Sequence, residues 1–210
     1  MLPQRRPSDW GPAGPVNRRY ARVAGQRGTT ATSLALPRTA KAAATLVVMP
    51  CLTVPTAAVR DSFVEAARDL RDEGWLSEFP VDEVAANFDD YVQRILNEKE
   101  FWGVPISTLW YIDSPHYLGS VIIRHRLTPE LAERGGHIGY HVAPRHRRQG
   151  HATVMLASAI NHCHNTLGIS RILVTCDQSN VASRRVIESN GGVLENFLED
   201  ECRYWITSET

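Results

Sequence analysis

No C-x-x-C pair occurs among the four cysteines; Cys51, Cys163, Cys176 and Cys202 stand 112, 13 and 26 residues apart. That spacing excludes a dense disulfide framework and fits reduced thiols in a cytoplasmic protein. Long apolar runs are missing as well. The longest, near Ala42 to Val54, is broken by Pro50 and falls short of the roughly 18 to 20 residues that span a bilayer, so no membrane association is expected. Nor does it read as a secretion signal, because about twenty residues separate Arg18-Arg19 from it and Pro50 spoils a lipoprotein-like site before Cys51. The nucleotide signatures G-x-G-x-x-G and G-x-x-x-x-G-K-[ST] are absent, which excludes a dinucleotide fingerprint and a Walker loop. There is no excess charge either, with 23 Lys and Arg against 23 Asp and Glu.

That neutral total is unevenly placed. Residues 1 to 48 hold eight Arg or Lys against Asp9 alone, a balance of +7, and residues 49 to 210 carry the compensating −7. The basic part is rich in Pro, Gly, Ala and Thr and has no sustained apolar period. It cannot bury enough surface to offset chain entropy, and a disordered, dispensable extension ahead of Met49 is expected. Only Trp10 and Tyr20 interleave its arginines, so there is no stacking platform and nucleic acid is not an expected partner. Residues 49 to 210 have the length to bury one core, as a single domain.

Periodicity in that domain predicts a short strand from Leu52, then a helix capped by Thr56 with Val59, Phe63, Ala66 and Leu70 on one face, ended by Gly74. A second helix carries Val84, Phe88, Val92 and Ile95. Strands Ile106 to Ile112 and Leu118 to His125 flank the turn Asp113-Ser114-Pro115 and are expected to pair as a hairpin. Thr128-Pro129-Glu130 starts a short helical turn, Gly135-Gly136 breaks it, and His137 to Val142 is a further strand. The clearest helix follows, with Ala152, Met155, Leu156, Ala159, Ile160, Cys163 and Leu167 along one face. Strand Arg171 to Cys176, a helix over 180 to 190, and strands Val193 to Leu198 and Cys202 to Thr207 complete the chain. The order β-α-α-β-β-β-α-β-α-β-β predicts an α/β protein with a mixed sheet.

The segment between the strand ending at Val142 and the long helix reads Arg145-His146-Arg147-Arg148-Gln149-Gly150-His151-Ala152. A helix beginning there aims its unpaired amides and the positive end of its dipole at the loop. Gly150 lets backbone come close to a ligand, Ala152 keeps the first turn small, and three arginines add charge, a mouth suited to a pyrophosphate. Two other clusters are less informative. His162-Cys163-His164, with His146 and His151, invites a metal, but His151 and His162 are about 16 Å apart along the helix and His162 and His164 point about 200° apart. No metal site is expected. Asp61, Glu65, Asp69 and Glu73 recur at intervals of four and are expected to form a solvated helix face; steering of a cationic acceptor is the functional alternative.

Arg147-x-x-Gly150-x-Ala152 resembles the acetyl-CoA motif of the GNAT superfamily of N-acetyltransferases, and it sits between the expected strand and helix. Asn180-x-x-Ser183, with Gly191 eleven residues after the Asn, resembles that family's later helix, whose Asn lies beside the pantetheine arm. The segments Gly136-His137-Ile138-Gly139-Tyr140, Leu173-Val174-Thr175-Cys176 and Arg203-Tyr204-Trp205-Ile206 look like a subgroup of predicted acetyltransferases.

The resemblance implies a GNAT-like acyl-CoA N-acyltransferase fold whose strands 137 to 142 and 171 to 176 splay to admit pantetheine. Acetyl-CoA is then the cosubstrate, held by Arg147, Arg148, Gln149, Gly150, His151 and Ala152 at its phosphates and by Tyr140, Val142, Asn180 and Ser183 along its arm. Backbone groups of Tyr140 and Val142 would polarise the thioester in the manner of an oxyanion hole. The implied reaction is direct attack by an amine of a small molecule or protein, with a homodimer left open as the assembly. A primary amine of pKa about 10.4 must lose a proton, and His137 is the first candidate base, with His141 second. Many relatives carry a Tyr seven residues after the Asn as acid toward the departing thiolate; here Ile187 stands there. Cys176 and Ser183 are the nearby substitutes by analogy, and Cys176 could serve as a nucleophile only with a depressed thiol pKa. Ile187 also keeps open a non-catalytic acyl-CoA-binding or sensing module.

Overall fold

The structure, a computed structural model, describes residues 49–208, so the basic extension expected over 1 to 48 lies outside the described residues. Two antiparallel sheets form the frame. The first runs in the order β1 (Cys51–Thr53), β3 (Val104–Asp113), β4 (His116–Arg124), β5 (Ile138–Val142), and the short β2 (Glu100–Phe101) pairs with the start of β3. The second runs β6 (Arg171–Asp177), β8 (Glu201–Thr207), β7 (Val193–Leu198). The expected hairpin is the β3–β4 pair, Ile106 facing Arg124 at its open end.

One face of the first sheet is covered by α1 (Arg60–Asp72), α2 (Val81–Ala86) and α3 (Phe88–Asn97). Phe63 on α1 is the centre of that layer, its ring 4.9 Å from Trp110, 5.0 Å from Tyr117 and 5.4 Å from both Phe88 and Tyr91. Stacked, tilted and edge-on pairs of this kind add about 0.5 to 1.5 kcal/mol each beyond the area they bury. The other face packs on α5 (His151–Asn165), with α6 (Val181–Glu188) against α5 and β6, and the expected apolar stripe of α5 is realised: Met155, Leu156, Ala159 and Cys163 are fully buried. A short α4 (Pro129–Glu133), capped by the Thr128 hydroxyl, leads into β5.

Three boundaries differ from expectation. The single helix through Val84 and Ile95 is two helices, broken at Asn87 (φ −124°, ψ 47°), whose side-chain amide donates to the Glu83 carbonyl. A short amide that bonds its own backbone competes with helix continuation, and the break still leaves Val84 and Phe88 in one core. The β2–β3 hairpin turns through Trp102 and Gly103, both at positive φ (53° and 69°), and β2 has only two residues, too few to show a period. His137 precedes β5 rather than lying in it.

A bulge shapes the sheet where it matters most. Between Tyr111/Gly119 and Ile112/Tyr117 the β3–β4 register skips Leu118. The extra residue turns Tyr117 onto the helical layer of α1 to α3 while Leu118 enters the α5 core.

Candidate active site

β5 and β6 lie side by side but, among the described residues, no ladder joins them. They are fastened at the start of β5, where the His137 amide donates to the Leu173 carbonyl (2.7 Å), the Leu173 amide donates to His137 Nδ1 (2.9 Å) and the Gly135 amide donates to the Thr175 hydroxyl (2.9 Å). Gly136 makes this approach feasible, since a Cβ there would stand 2.4 Å from the Leu173 oxygen. Beyond that point the strands leave a slot. Ala143 donates to Leu118 on the β4 side, so by antiparallel alternation the amides and carbonyls of Tyr140 and Val142 face the slot. The Val142 carbonyl meets Arg147 Nε at 3.2 Å. Across the slot, the Tyr140 hydroxyl lies 2.9 Å from the Ser183 hydroxyl on α6.

The slot opens into a cleft of about 1160 Å³ that runs from the start of α5, between β5 and α6, to the aromatic layer of α1 and α3. At its first end Gly150 is the N-cap of α5 at φ 85°, with no side-chain cap, and Arg148 is also left-handed at φ 61°. This curl leaves the first amides of α5 without a side-chain cap. Among the described residues nothing lies within 4 Å of where a Gly150 side chain would start, so backbone conformation and approach room, not packing, call for glycine.

The arginines of this loop divide. Arg145 is gripped by Asp69 (2.7 Å and 3.2 Å) and Glu65, and Arg147 by Glu73 (3.0 Å and 2.9 Å). The row Glu65, Asp69 and Glu73 therefore holds the loop instead of forming the solvated face expected of it; Asp61 pairs locally with Arg60. Arg148 is exposed, lines the cleft and has no ion pair among the described residues. Gln149 donates back to the Arg145 carbonyl, and His151 stacks edgewise between Tyr111 and His146. Asn180 caps α6 by accepting from the Ser183 amide at 3.0 Å.

The expected bases part company. His137 is buried and does not line the cleft; its Nδ1 is used by the Leu173 amide, and burial, with Arg124 nearby, pushes its pKa down to about 4. A proton acceptor must reach the substrate, and His137, outside the cleft lining, instead ties the two sheets together. His141 does line the cleft, its Nε2 3.1 Å from the Tyr117 hydroxyl and its Nδ1 3.1 Å from the Ser120 hydroxyl. Burial, and secondarily Arg147, push its pKa down to about 4, so it is neutral at physiological pH. Cys176 lines the cleft but burial pushes its thiol up to about 12, opposite to what a nucleophile requires. Ile187 is fully buried beneath Gly192 and outside the cleft lining, so that position does not face the reacting groups in this chain.

The cleft also contains residues that sequence reasoning did not single out. Trp75, Phe79, Tyr91 and Ile95 make an apolar wall; Glu98, its pKa raised by burial, and Arg124 add charge. The helical residues carried only a core signal, and Arg124 looked like the end of an ordinary strand. Among the described residues there is no cluster of three or more metal-ligating side chains, and no helix is long and apolar enough to cross a membrane.

A family model described as acetyltransferase (GNAT) domain matches residues 54–193. Among solved structures, Mycobacterium smegmatis RimJ in complex with CoA-disulfide is similar at 21% identity, with 75% of this chain and 81% of that chain covered and a TM-score of 0.56. A GNAT-family acetyltransferase from Bacillus anthracis is similar at 18% identity, covering 74% and 93% with a TM-score of 0.54. RimL, a ribosomal L7/L12 alpha-N-protein acetyltransferase in complex with coenzyme A, is similar at 19% identity, covering 74% and 92% with a TM-score of 0.52. A search of curated proteins found no match.

Proposed function

The chain belongs to the GNAT acetyltransferase family, and on that premise we propose that it passes the acetyl group of acetyl-CoA directly to the nitrogen of an amine. The observation that carries this reading is the unladdered slot between β5 and β6 leading to the bare amide end of α5. Acetyl-CoA supplies the activated thioester. The residues fit it: the amides of Gly150, His151 and Ala152 and the side chain of Arg148 suit a diphosphate, with Arg147 and Gln149 shaping the loop. The backbone of Tyr140 and Val142 suits the amide-rich arm, with Asn180 and Ser183 opposite.

Attack forms the C–N bond and breaks C–S; the nitrogen gives up a proton and sulfur leaves with the electron pair. His141, neutral and bonded at both nitrogens to hydroxyls, is the proposed acceptor of that proton, either through the hydroxyl on its lone-pair nitrogen as a relay or directly once that hydroxyl turns away. The Tyr140 and Ser183 hydroxyls are the proposed donors toward the departing sulfur, in place of an acid at position 187. The acceptor is an amine of a small molecule or of a protein. All four cysteines are unpaired, which supports a reducing, cytoplasmic setting.

The test is an acceptor panel with acetyl-CoA, following free thiol, beside calorimetric titration of acetyl-CoA. Binding with acceptor-dependent thiol release is expected. Failure of acetyl-CoA to bind the folded protein would overturn the reading, and binding without turnover on any amine would favour a sensing module.

A further inference from the structure

The acceptor side of the cleft holds a charge that the fold does not neutralise. Arg124, at the end of β4, is 6% exposed. Its Nη1 donates to the carbonyls of Gly135 (3.1 Å) and Gly136 (3.2 Å), its Nε has no partner, and no carboxylate pairs with it among the described residues. The exposed ring of Trp102 lies 5.5 Å from the guanidinium carbon. Burial pushes its pKa down to about 10, which leaves it a cation at neutral pH. A buried guanidinium lacking both a counter-charge and a full set of acceptors is costly, and an apolar residue of similar size would be cheaper. It stands in the cleft lining, so a ligand can reach it.

Sheet alternation puts this cation on the amine's side. Ser120, Ile122 and Arg124 share one face of β4, and Ser120 bonds His141 on that face. Gly139, opposite Ile122 on β5, has no side chain, so the sheet floor between His141 and the Arg124 end is low. Leu70, Trp75, Phe79, Tyr91 and Ile95 wall the same lobe. The other charged groups nearby are otherwise occupied: Arg134 pairs with Glu201, and Glu98 lies beside Arg94.

We infer that the acceptor amine also carries a carboxylate, that this carboxylate docks on Arg124, and that an apolar body between the two groups lies against the aromatic wall. Only the identification of this ligand as the acetyl acceptor rests on the acetyltransferase reading; the carboxylate site itself does not.

The probes are ω-phenylalkanoates from phenylacetate to phenylvalerate and their neutral primary amides, titrated calorimetrically into the full chain, with acetyl-CoA titrated separately. At least one carboxylate is expected to bind about tenfold more tightly than its amide, as a charge-assisted hydrogen bond provides. Arg124→Gln should erase that preference, and Arg134→Gln, at the rim, should keep it. In the unsubstituted protein the Arg124 Nε–H resonance should shift on titration, a readout that stands even if Arg124→Gln does not fold. Equal affinity for acid and amide, a preference that survives Arg124→Gln, or an unmoved Nε–H would overturn the assignment. Loss of acetyl-CoA binding with carboxylate binding intact would instead sink the acetyltransferase reading alone.

Discussion

The Tyr117 hydroxyl reaches His141 Nε2 at 3.1 Å because the bulge at Leu118 turns Tyr117 out of strict alternation. Without that extra residue Tyr117 would face the α5 core and the imidazole would keep only Ser120. The proposed proton acceptor is thus oriented by a local irregularity of the sheet.

His141→Gln is expected to lower kcat about 100-fold, the lower range for loss of a positioned acid–base group, with the Kd of acetyl-CoA unchanged. Tyr117→Phe should cost less, since Ser120 still holds the ring. Steady-state kinetics beside calorimetry separates the two effects, and undiminished turnover in His141→Gln would remove its role.

Tyr140→Phe deletes the hydroxyl that meets Ser183 across the slot. A fall of about tenfold in kcat is expected from a lost hydrogen bond to developing negative charge, with the backbone contacts to the arm retained. If only KM for acetyl-CoA changes, the hydroxyl positions the arm and does not assist the leaving group.

Gly150→Glu should abolish acetyl-CoA binding in a folded protein, because the side chain has open space around it but introduces a positive-φ penalty of about 1 to 2 kcal/mol and a negative charge at the bare amides. Arg148→Ala should weaken binding about tenfold and flatten its salt dependence, as expected when one charge-assisted contact is lost. Arg145→Ala, whose guanidinium is held by Asp69 and Glu65, should change affinity less. Calorimetry at low and high salt decides between them.

His137→Ala should destabilise the fold by about 1 to 3 kcal/mol, the cost of leaving the buried Leu173 amide without an acceptor. The pH dependence of kcat should keep its shape. A changed pH profile in a variant of normal stability would restore His137 as a base.

The imidazoles of His137 and His141 have folded-state pKa values pushed from 6.5 down to about 4. Between these limits the unfolded chain binds more protons than the native one, so stability rises with pH there. The contribution is fully present above about 6.5 and is lost as pH falls toward 4. Thermal melts over this range should show a decline in Tm that is shallower in His141→Gln; an identical decline would mean that His141 does not stay neutral in the native state.

Much of the scaffold follows from order along the chain. The apolar stripe of α5, the hairpin around Pro115 and the loop that ends in Gly150 each depend on neighbours within a few turns, and local periodicity records them. The end of the cleft at the start of α5 was legible for the same reason: it is one continuous segment from Val142 to Ala152. The break at Asn87 was not, since its cause is one side chain bonding its own helix while both halves stay apolar. Nor was the acidic row of α1, whose partners Arg145 and Arg147 lie more than seventy residues away.

By itself the sequence determined the order of the longer helices and strands and where a bare helix start meets arginines, because those are short-range matters of spacing and backbone freedom. Only tertiary structure decided which of His137 and His141 faces the cleft, how the Leu118 bulge points Tyr117 at His141, and that Arg124 lies buried with no paired carboxylate among the described residues. These depend on what crosses from strand to strand, and a residue's surroundings there come from partners distant in the chain.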